Sequence, residues 1–337
     1  MRRVAIGIAV AFGGLAALLS GHAAAQDFYK GKVLTIVVGF TPGGGYDTNA
    51  RLLARHIGKH IPGEPAVVVQ NMPGAASLTA VGYLDTTAPR DGTVLDTFTF
   101  AQIGDSRVRP DRVKIDFRKF NWIGSTGEDP PFCYVWHTLG IDSIDALRAH
   151  GPIQMGLTAA GALDDIGERI LKHLFDIDVR QIAGYPGSAE TGLAMERGEI
   201  DGGCGDWGNI PTDWITNHKI VPIINLASFR PSGMADSVPF AVDIGKNEHD
   251  RAIIRLLTAS AEVGRPFIAS AGVPSERIAI LRDAFAATMK DTDFLADAEK
   301  VRMPVTPRVG EAAQQVVADI YRAPDGIVQA ARQIMDQ

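Results

Sequence analysis

Positive charge is in short supply in this chain: 33 lysines and arginines stand against 39 acids, for a net charge of −6. A nucleic-acid partner wants a basic stripe, and that balance excludes one. Aromatic residues make up only 7%, and the cysteines number two, Cys133 and Cys204. Neither cysteine sits in a C-x-x-C pair, so no metal site is expected from them. His56 and His60 are four apart on a helical pattern but lack the glutamate of H-E-x-x-H, and a solvated helix face is the expectation. Asp164-Asp165 and Asp201…Asp206 read as a helix start and a turn, not as acid/base pairs. Ser188 lacks the G-x-S-x-G elbow of a hydrolase. No nucleophile or acid/base set emerges. The reading is therefore of a protein that is not an enzyme, with no cofactor and no metal.

Long apolar runs are equally rare, with one exception. Arg2 and Arg3 precede an apolar and small-residue stretch from Val4 to Leu19, which leads to Ala23-Ala24-Ala25. A basic start, an apolar core too short to span a bilayer and a small-residue cleavage site read as a secretory signal peptide over 1–25. Its removal takes two arginines and no acid, leaving 31 bases against 39 acids, a net charge of −8. The mature chain is expected to be soluble and exported. In an oxidising compartment Cys133 and Cys204 are expected to pair; two buried thiols are the alternative.

The rest of the sequence alternates short apolar runs with longer helical patterns. Val33–Phe40 reads as a buried strand, and from Asp47 the residues Ala50, Leu53, Ala54 and Ile57 fall on one helix face. A strand at Ala66–Val69, a helix to about Leu84 and a strand at Thr93–Phe100 follow. That order is the signature of a parallel sheet covered on both faces. After Asn121–Ser125 the pattern restarts, with strands at Phe132–Trp136, Ile153–Leu157, Val179–Ala183, Ile200-Asp201 and Ile220–Leu226. Helices separate them at Ser143–Ala149, Asp164–Phe175 and Ser188–Arg197. Helices at Arg251–Val263, Pro274–Met289, Glu311–Tyr321 and Ile327–Met335 close the chain, with a short strand at Phe267–Ala269. About 312 mature residues suit two α/β lobes better than one core.

The first strand ends in Pro42-Gly43-Gly44-Gly45, and three glycines in a row cost backbone entropy. A strand that feeds a helix through glycines leaves main-chain N–H groups open at the helix N-terminus, which makes an anion site without a lysine or arginine. Phosphate and carboxylate both fit that description, and so does a tight turn with no ligand. Gly43–Thr48 supplies neither the third glycine of a dinucleotide fingerprint nor the lysine of a phosphate loop.

Phe40-Thr41-Pro42-Gly43-Gly44-Gly45-Tyr46-Asp47, Asn71-Met72-Pro73-Gly74-Ala75 and Asp91-Gly92-Thr93 together resemble the Bug-type family, the solute-binding proteins of tripartite tricarboxylate transporters. The likeness extends through Phe117–Ser125, Tyr185-Pro186-Gly187, Gly198-Glu199-Ile200-Asp201 and the Pro274–Lys290 helix. The resemblance implies a two-lobed periplasmic-binding-protein architecture of type II, closing like a flytrap. Lobe 1 would comprise 26–126 plus 239–337, and lobe 2 residues 127–238. It implies a periplasmic monomer that binds a small organic carboxylate and hands it to a permease with a large and a small subunit. The ligand residues it implies are Phe40, Gly43, Gly44, Gly45, Asp47, Asn71, Gly74, Ala75 and Ser77 on lobe 1. On lobe 2 they are Thr158, Ala160, Gly161, Tyr185, Gly187 and Ser188; Asp206 and Trp207, in a stretch unusual for the family, join them as candidate ligand residues. Trp207 and Tyr185 are also candidates to stack on an aromatic acid. Ala76-Ser77 departs from the family, which usually has a glycine there. An exported α/β hydrolase-like enzyme and a receptor that feeds a sensor kinase are the rival readings.

Overall fold

The computed structural model describes residues 28–128, 130–301 and 303–337. The expected signal peptide lies outside them.

The chain begins with β1 (Val33–Val38), α1 (Gly45–Ile57), β2 (Ala66–Asn71), α2 (Leu78–Thr86) and β3 (Val94–Thr97). β1 pairs in parallel with β2 and β3, as two strand–helix–strand crossovers require. Leu34, Ile36, Leu52, Leu53 and Ile57 are fully buried where α1 covers this sheet. Each such side chain contributes about 1.5–3 kcal/mol on burial. β3 is shorter than the run Thr93–Phe100 implied. Phe100 instead leads into a helix that the sequence did not announce, α3 (Ala101–Val108). Two turns of Ala-Gln-Ile-Gly-Asp-Ser-Arg-Val carry no apolar stripe, because all but Arg107 are buried.

β4 (Asn121–Ser125) ends this part, and the chain crosses to a second sheet. There follow β5 (Pro131–Trp136), α4 (Ile144–His150), β6 (Ile153–Leu157), α5 (Leu163–Leu174), β7 (Val179–Ala183), α6 (Ser188–Glu196), β8 (Gly202–Asp206), α7 (Thr212–Thr216) and β9 (Ile220–Asn225). After α8 (Glu248–Thr258) the chain re-enters the first sheet with β10 (Pro266–Ala269). It ends in α9 (Ser275–Thr288), α10 (Thr292–Lys300), β11 (Arg308–Val309), α11 (Gly310–Tyr321) and α12 (Asp325–Asp336). The sheet orders are β11-β4-β10-β3-β1-β2 and β7-β6-β8-β5-β9. Neither sheet is wholly parallel. β10 runs antiparallel to β3 and β4, and β5 runs antiparallel to β8 and β9, because those strands enter from the crossings and not from a crossover helix.

The two lobes share packing behind the cleft. α12 packs on α3, α5 and α8. Arg109 of α3's C-terminal end donates to Met335 O (2.7 Å) and Arg169 of α5 to Ile334 O (3.3 Å). Cations at a helix C-terminus complement its dipole, so α12 ties an arginine from each lobe. Cys133 and Cys204 face each other across β5 and β8 and form a disulfide. His56 departs from the solvated face expected of it: it is buried, stacked edge-on against Phe294 and 3.1 Å from Asp297.

Candidate functional site

A cavity of about 1040 Å³ lies between the two sheets. Its lobe-1 wall is made of two strand ends. After β1 come Phe40 to Tyr46; after β2 come Pro73 to Ser77. These are the C-terminal ends of neighbouring parallel strands, where open α/β sheets collect ligands.

The first loop is fixed by Asp47. Its Oδ2 accepts from the Gly43 N–H (2.9 Å) and from Arg51 Nε (2.9 Å), and its Oδ1 accepts from Asn71 Nδ2 (2.8 Å). Asn71 Nδ2 also donates to Phe40 O, and Arg51 Nη2 donates to Asn71 Oδ1. Burial works against ionisation of Asp47, but the bonds from Arg51, Gly43 and Asn71 outweigh it and hold the carboxyl below its usual range. Asp47 and Asn71, expected as ligand contacts, hold the loop from behind: neither lines the cavity. Gly43 stays on the wall, but its amide is engaged within the chain. Gly44, the N-cap of α1, and Gly45 follow it on the wall, and no side chain caps this helix.

The second loop is backbone-strained. Ala75, Ala76 and Ser77 have φ of 48°, 49° and 69°, three successive non-glycine residues in the left-handed region. That region costs an L-residue about 1–2 kcal/mol. Ser77 holds the turn: its Oγ donates to Ala76 O (2.5 Å) and accepts from the Thr99 N–H (3.1 Å). Its Cβ lies 2.2 Å from where a Cβ on Gly39 would be, so the two loops interlock only because residue 39 is glycine.

On lobe 2 the wall comprises Thr158, Ala159, Ala162 to Asp164, Pro186 to Gly192, and Gly202 to Pro211. Of the candidate ligand residues, Thr158, Gly187, Ser188, Asp206 and Trp207 lie on it. Three expected residues do not. Ala160 O accepts from Arg112, and the Gly161 N–H donates to Asp165 Oδ2 (2.7 Å) while its carbonyl accepts from Gln102, so both face lobe 1's α3 side. Tyr185 is not on the wall; it is partly buried against the apolar cluster of lobe 2 that includes Phe132, Tyr134 and Trp214. Asp164 takes the Thr158 N–H (2.6 Å), and burial pushes its carboxyl up to about 6 despite that bond.

The residue the sequence did not single out is Arg265, just before β10. It is 7% exposed, lines the cavity, and donates through Nη1 to Gly45 O (2.9 Å) and through Nη2 to Asn209 Oδ1 (2.8 Å). One guanidinium thus touches the first loop of lobe 1 and the wall of lobe 2. Its sequence neighbourhood, Val263-Gly264-Arg265-Pro266, carries no motif; only the antiparallel return of β10 brings it 220 positions back to Gly45.

Among the described residues no group of three His, Cys, Asp or Glu could hold a metal ion, and no helix is long and apolar enough to cross a membrane.

No protein-family model matches the chain. It is 32% identical over 179 residues to Protein BugT of Bordetella pertussis, 51% of each chain. It is 36% identical over 101 residues to a UPF0065 protein in the gbd 5' region of Cupriavidus necator, 30% of this chain and 28% of that one. The chain thus aligns with about half, or less, of these relatives' lengths. Among solved structures, the periplasmic binding protein BugD superposes with a TM-score of 0.72 at 19% identity, covering 91% of this chain and 98% of that one. MatC from Rhodopseudomonas palustris with bound malate gives 0.69 at 18% identity over 90% and 99%. The two-lobed periplasmic-binding-protein fold follows from these superpositions, and the names of the relatives agree with the resemblance to the Bug-type proteins read in the sequence.

Proposed function

We propose that this chain, a relative of the Bug-type periplasmic solute-binding proteins, is an extracytoplasmic receptor that captures a small organic carboxylate between its lobes. It delivers that ligand to a tripartite tricarboxylate-type permease with a large and a small subunit. Residues 1–25 export it to the periplasm, where it acts as a monomer. Lobe 1 comprises 26–126 and 239–337, and lobe 2 comprises 127–238.

The observation that carries this reading is the uncapped N-terminus of α1, with Gly44 and Gly45 on the wall of a cavity between two lobes. Main-chain donors and the helix dipole favour an anion there. The malate in a structural neighbour makes carboxylate the first choice. The acid group rests on Gly44–Gly45 and Gly74–Ser77, and the body of the ligand meets Thr158, Gly187, Ser188, Asp206 and Trp207. A ligand that touches both lobes favours the closed state by its differential affinity, and closure is the signal to the permease.

A thermal-shift screen of the mature protein against carboxylates, sugars and cations tests the proposal. A carboxylate at a hundred times its Kd adds about 2.7 kcal/mol to the folded state, which shows as a higher melting temperature. A response to sugars or cations with none to any carboxylate overturns it.

A further inference from the structure

The two walls of the cavity carry opposite charge. On lobe 1 are the N-terminus of α1 and the buried cation Arg265. On lobe 2 the lining acids are Glu128, which pairs with Arg308, and Asp164, Glu190, Glu196 and Asp206. The one basic residue on that wall is Arg230, and its guanidinium is committed to the carbonyls of Ala235, Asp236 and Val238 and to the ring of Phe240.

A second acid group on lobe 2 would meet the chain's own carboxylates. Asp164 takes the Thr158 amide. The N-terminus of α6 carries no side-chain cap, but the acid Glu190 stands in its first turn, with Oε2 3.3 Å from where a Cβ on Gly187 would be. Like charges across a site repel and carry a desolvation cost.

Between those acids the wall is apolar and roomy. β8 reads Gly-Gly-Cys-Gly; a Cβ on Gly205 would meet nothing within 4 Å, and one on Gly203 only the Tyr134 ring end at 3.8 Å. Tyr134, Met195, Trp207, Ile210 and Trp214 surround this bare floor. The volume of about 1040 Å³ reaches the upper end of what drug-sized ligands fill, far beyond a four-carbon diacid.

We infer that the ligand carries a single carboxylate, held on lobe 1, and an apolar or aromatic body that lies on the Gly203–Gly205 floor against Trp207 and Tyr134. This rests on the carboxylate reading above and narrows it: diacids and triacids are disfavoured ligands of this cavity.

Hexanoate and adipate test it, since they share six carbons and differ in the second carboxylate; 3-phenylpropanoate serves as the aromatic monoacid. Titration calorimetry of the mature, disulfide-bonded protein at pH 8 is expected to show hexanoate or 3-phenylpropanoate binding at least tenfold more tightly than adipate. Glu190→Gln, on an exposed site, is expected to narrow that ratio by raising adipate affinity severalfold. Gly205→Leu is expected to cut 3-phenylpropanoate binding at least tenfold; a normal melting temperature for the variant separates lost space from lost folding. Adipate binding as tightly as the monoacids overturns the single-acid inference and leaves the carboxylate receptor standing. Silence from all three acids, with another solute class bound, overturns both.

Discussion

Asp47 and Asp165 do the same work in opposite lobes. Each accepts the N–H of a glycine four residues before it, Gly43 or Gly161, and the Nε of an arginine four residues after it, Arg51 or Arg169. Each also takes a side-chain amide from the neighbouring parallel strand, Asn71 of β2 or Gln181 of β7. Both glycines have positive φ, 92° and 81°. The lobes thus share a G-x-x-x-D-x-x-x-R device that locks a strand-to-helix loop. In lobe 1 the locked loop lines the cavity; in lobe 2 it is pressed against α3.

Asp47→Ala is therefore expected to cost binding and stability together. It strands the Gly43 amide and the Asn71 and Arg51 donors, a loss of about 2 kcal/mol, and lets the Gly44–Gly45 amides wander. Calorimetry is expected to show ligand affinity down at least tenfold. Asp165→Ala is expected to destabilise similarly in urea unfolding but to spare affinity to within about threefold. Equal effects on affinity would count against separate roles for the two loops.

The left-handed run at Ala75–Ser77 predicts a stabilising change. Ala76→Gly removes about 1–2 kcal/mol of backbone strain and gives back about 0.4–1 through the freer unfolded chain. A net gain of about half a kilocalorie follows, readable as a small rise in the urea midpoint. Ala76→Val, β-branched at φ 49°, is expected to destabilise.

Arg265 and Asn209 form a contact between lobes, so their effects on closure are coupled. Arg265→Ala and Asn209→Ala are each expected to lower ligand affinity about tenfold and to widen the ligand-free protein in small-angle scattering. The double variant is expected to be no worse than the worse single one. Full additivity would show that the two residues act apart.

Buried acids set an unusual pH trend. Asp96 is fully buried, has no hydrogen-bond partner among the described residues, and its carboxyl is pushed well above the usual range by burial. Burial, helped by the charge of Asp164, does the same to Glu168. A raised acid holds a proton in the folded state that the unfolded chain releases near pH 4. Stability therefore falls as pH climbs from about 4 towards the folded-state values. Asp47 and Asp116, whose carboxyls are depressed, act only below about pH 4, as they gain protons. His173, depressed by burial, works the other way near pH 6.5 but is only partly buried. The urea midpoint is expected to be higher at pH 5.5 than at pH 8. Asp96→Asn is expected to flatten the trend and add at least about 1 kcal/mol at pH 8.

Trp207 lies on the cavity wall with its ring edge-on to Phe132. Its fluorescence is expected to report binding, and Trp207→Phe to abolish most of the ligand-induced change; a full signal in that variant would assign it to Trp214 or another tryptophan.

The fold was legible wherever apolar periodicity is strong. β1, α1, β5, α5 and α9 stand within a residue or two of where Val, Ile and Leu spacing puts them. α3 escaped because burial on all sides leaves no stripe, and α10 (Thr292–Lys300) because its apolar residues are few. The glycine loops announced the lobe-1 wall, since only backbone chemistry explains three glycines before a helix. The role of Asp47 did not show: Arg51 stands one helical turn after it, but Asn71 meets it only through the β1–β2 register. Arg265 was invisible for the same reason at longer range.

The Cys133–Cys204 link sits in the middle of the Gly-Gly-Cys-Gly strand. Glycine-rich strands are entropically weak and slip easily in register. The covalent tie is what allows a floor almost without side chains to hold one alignment against β5. Produced where thiols stay reduced, the same polypeptide is expected to keep both lobes yet lose the definition of one face, so the oxidation state of its birthplace is written into the shape of what it can hold.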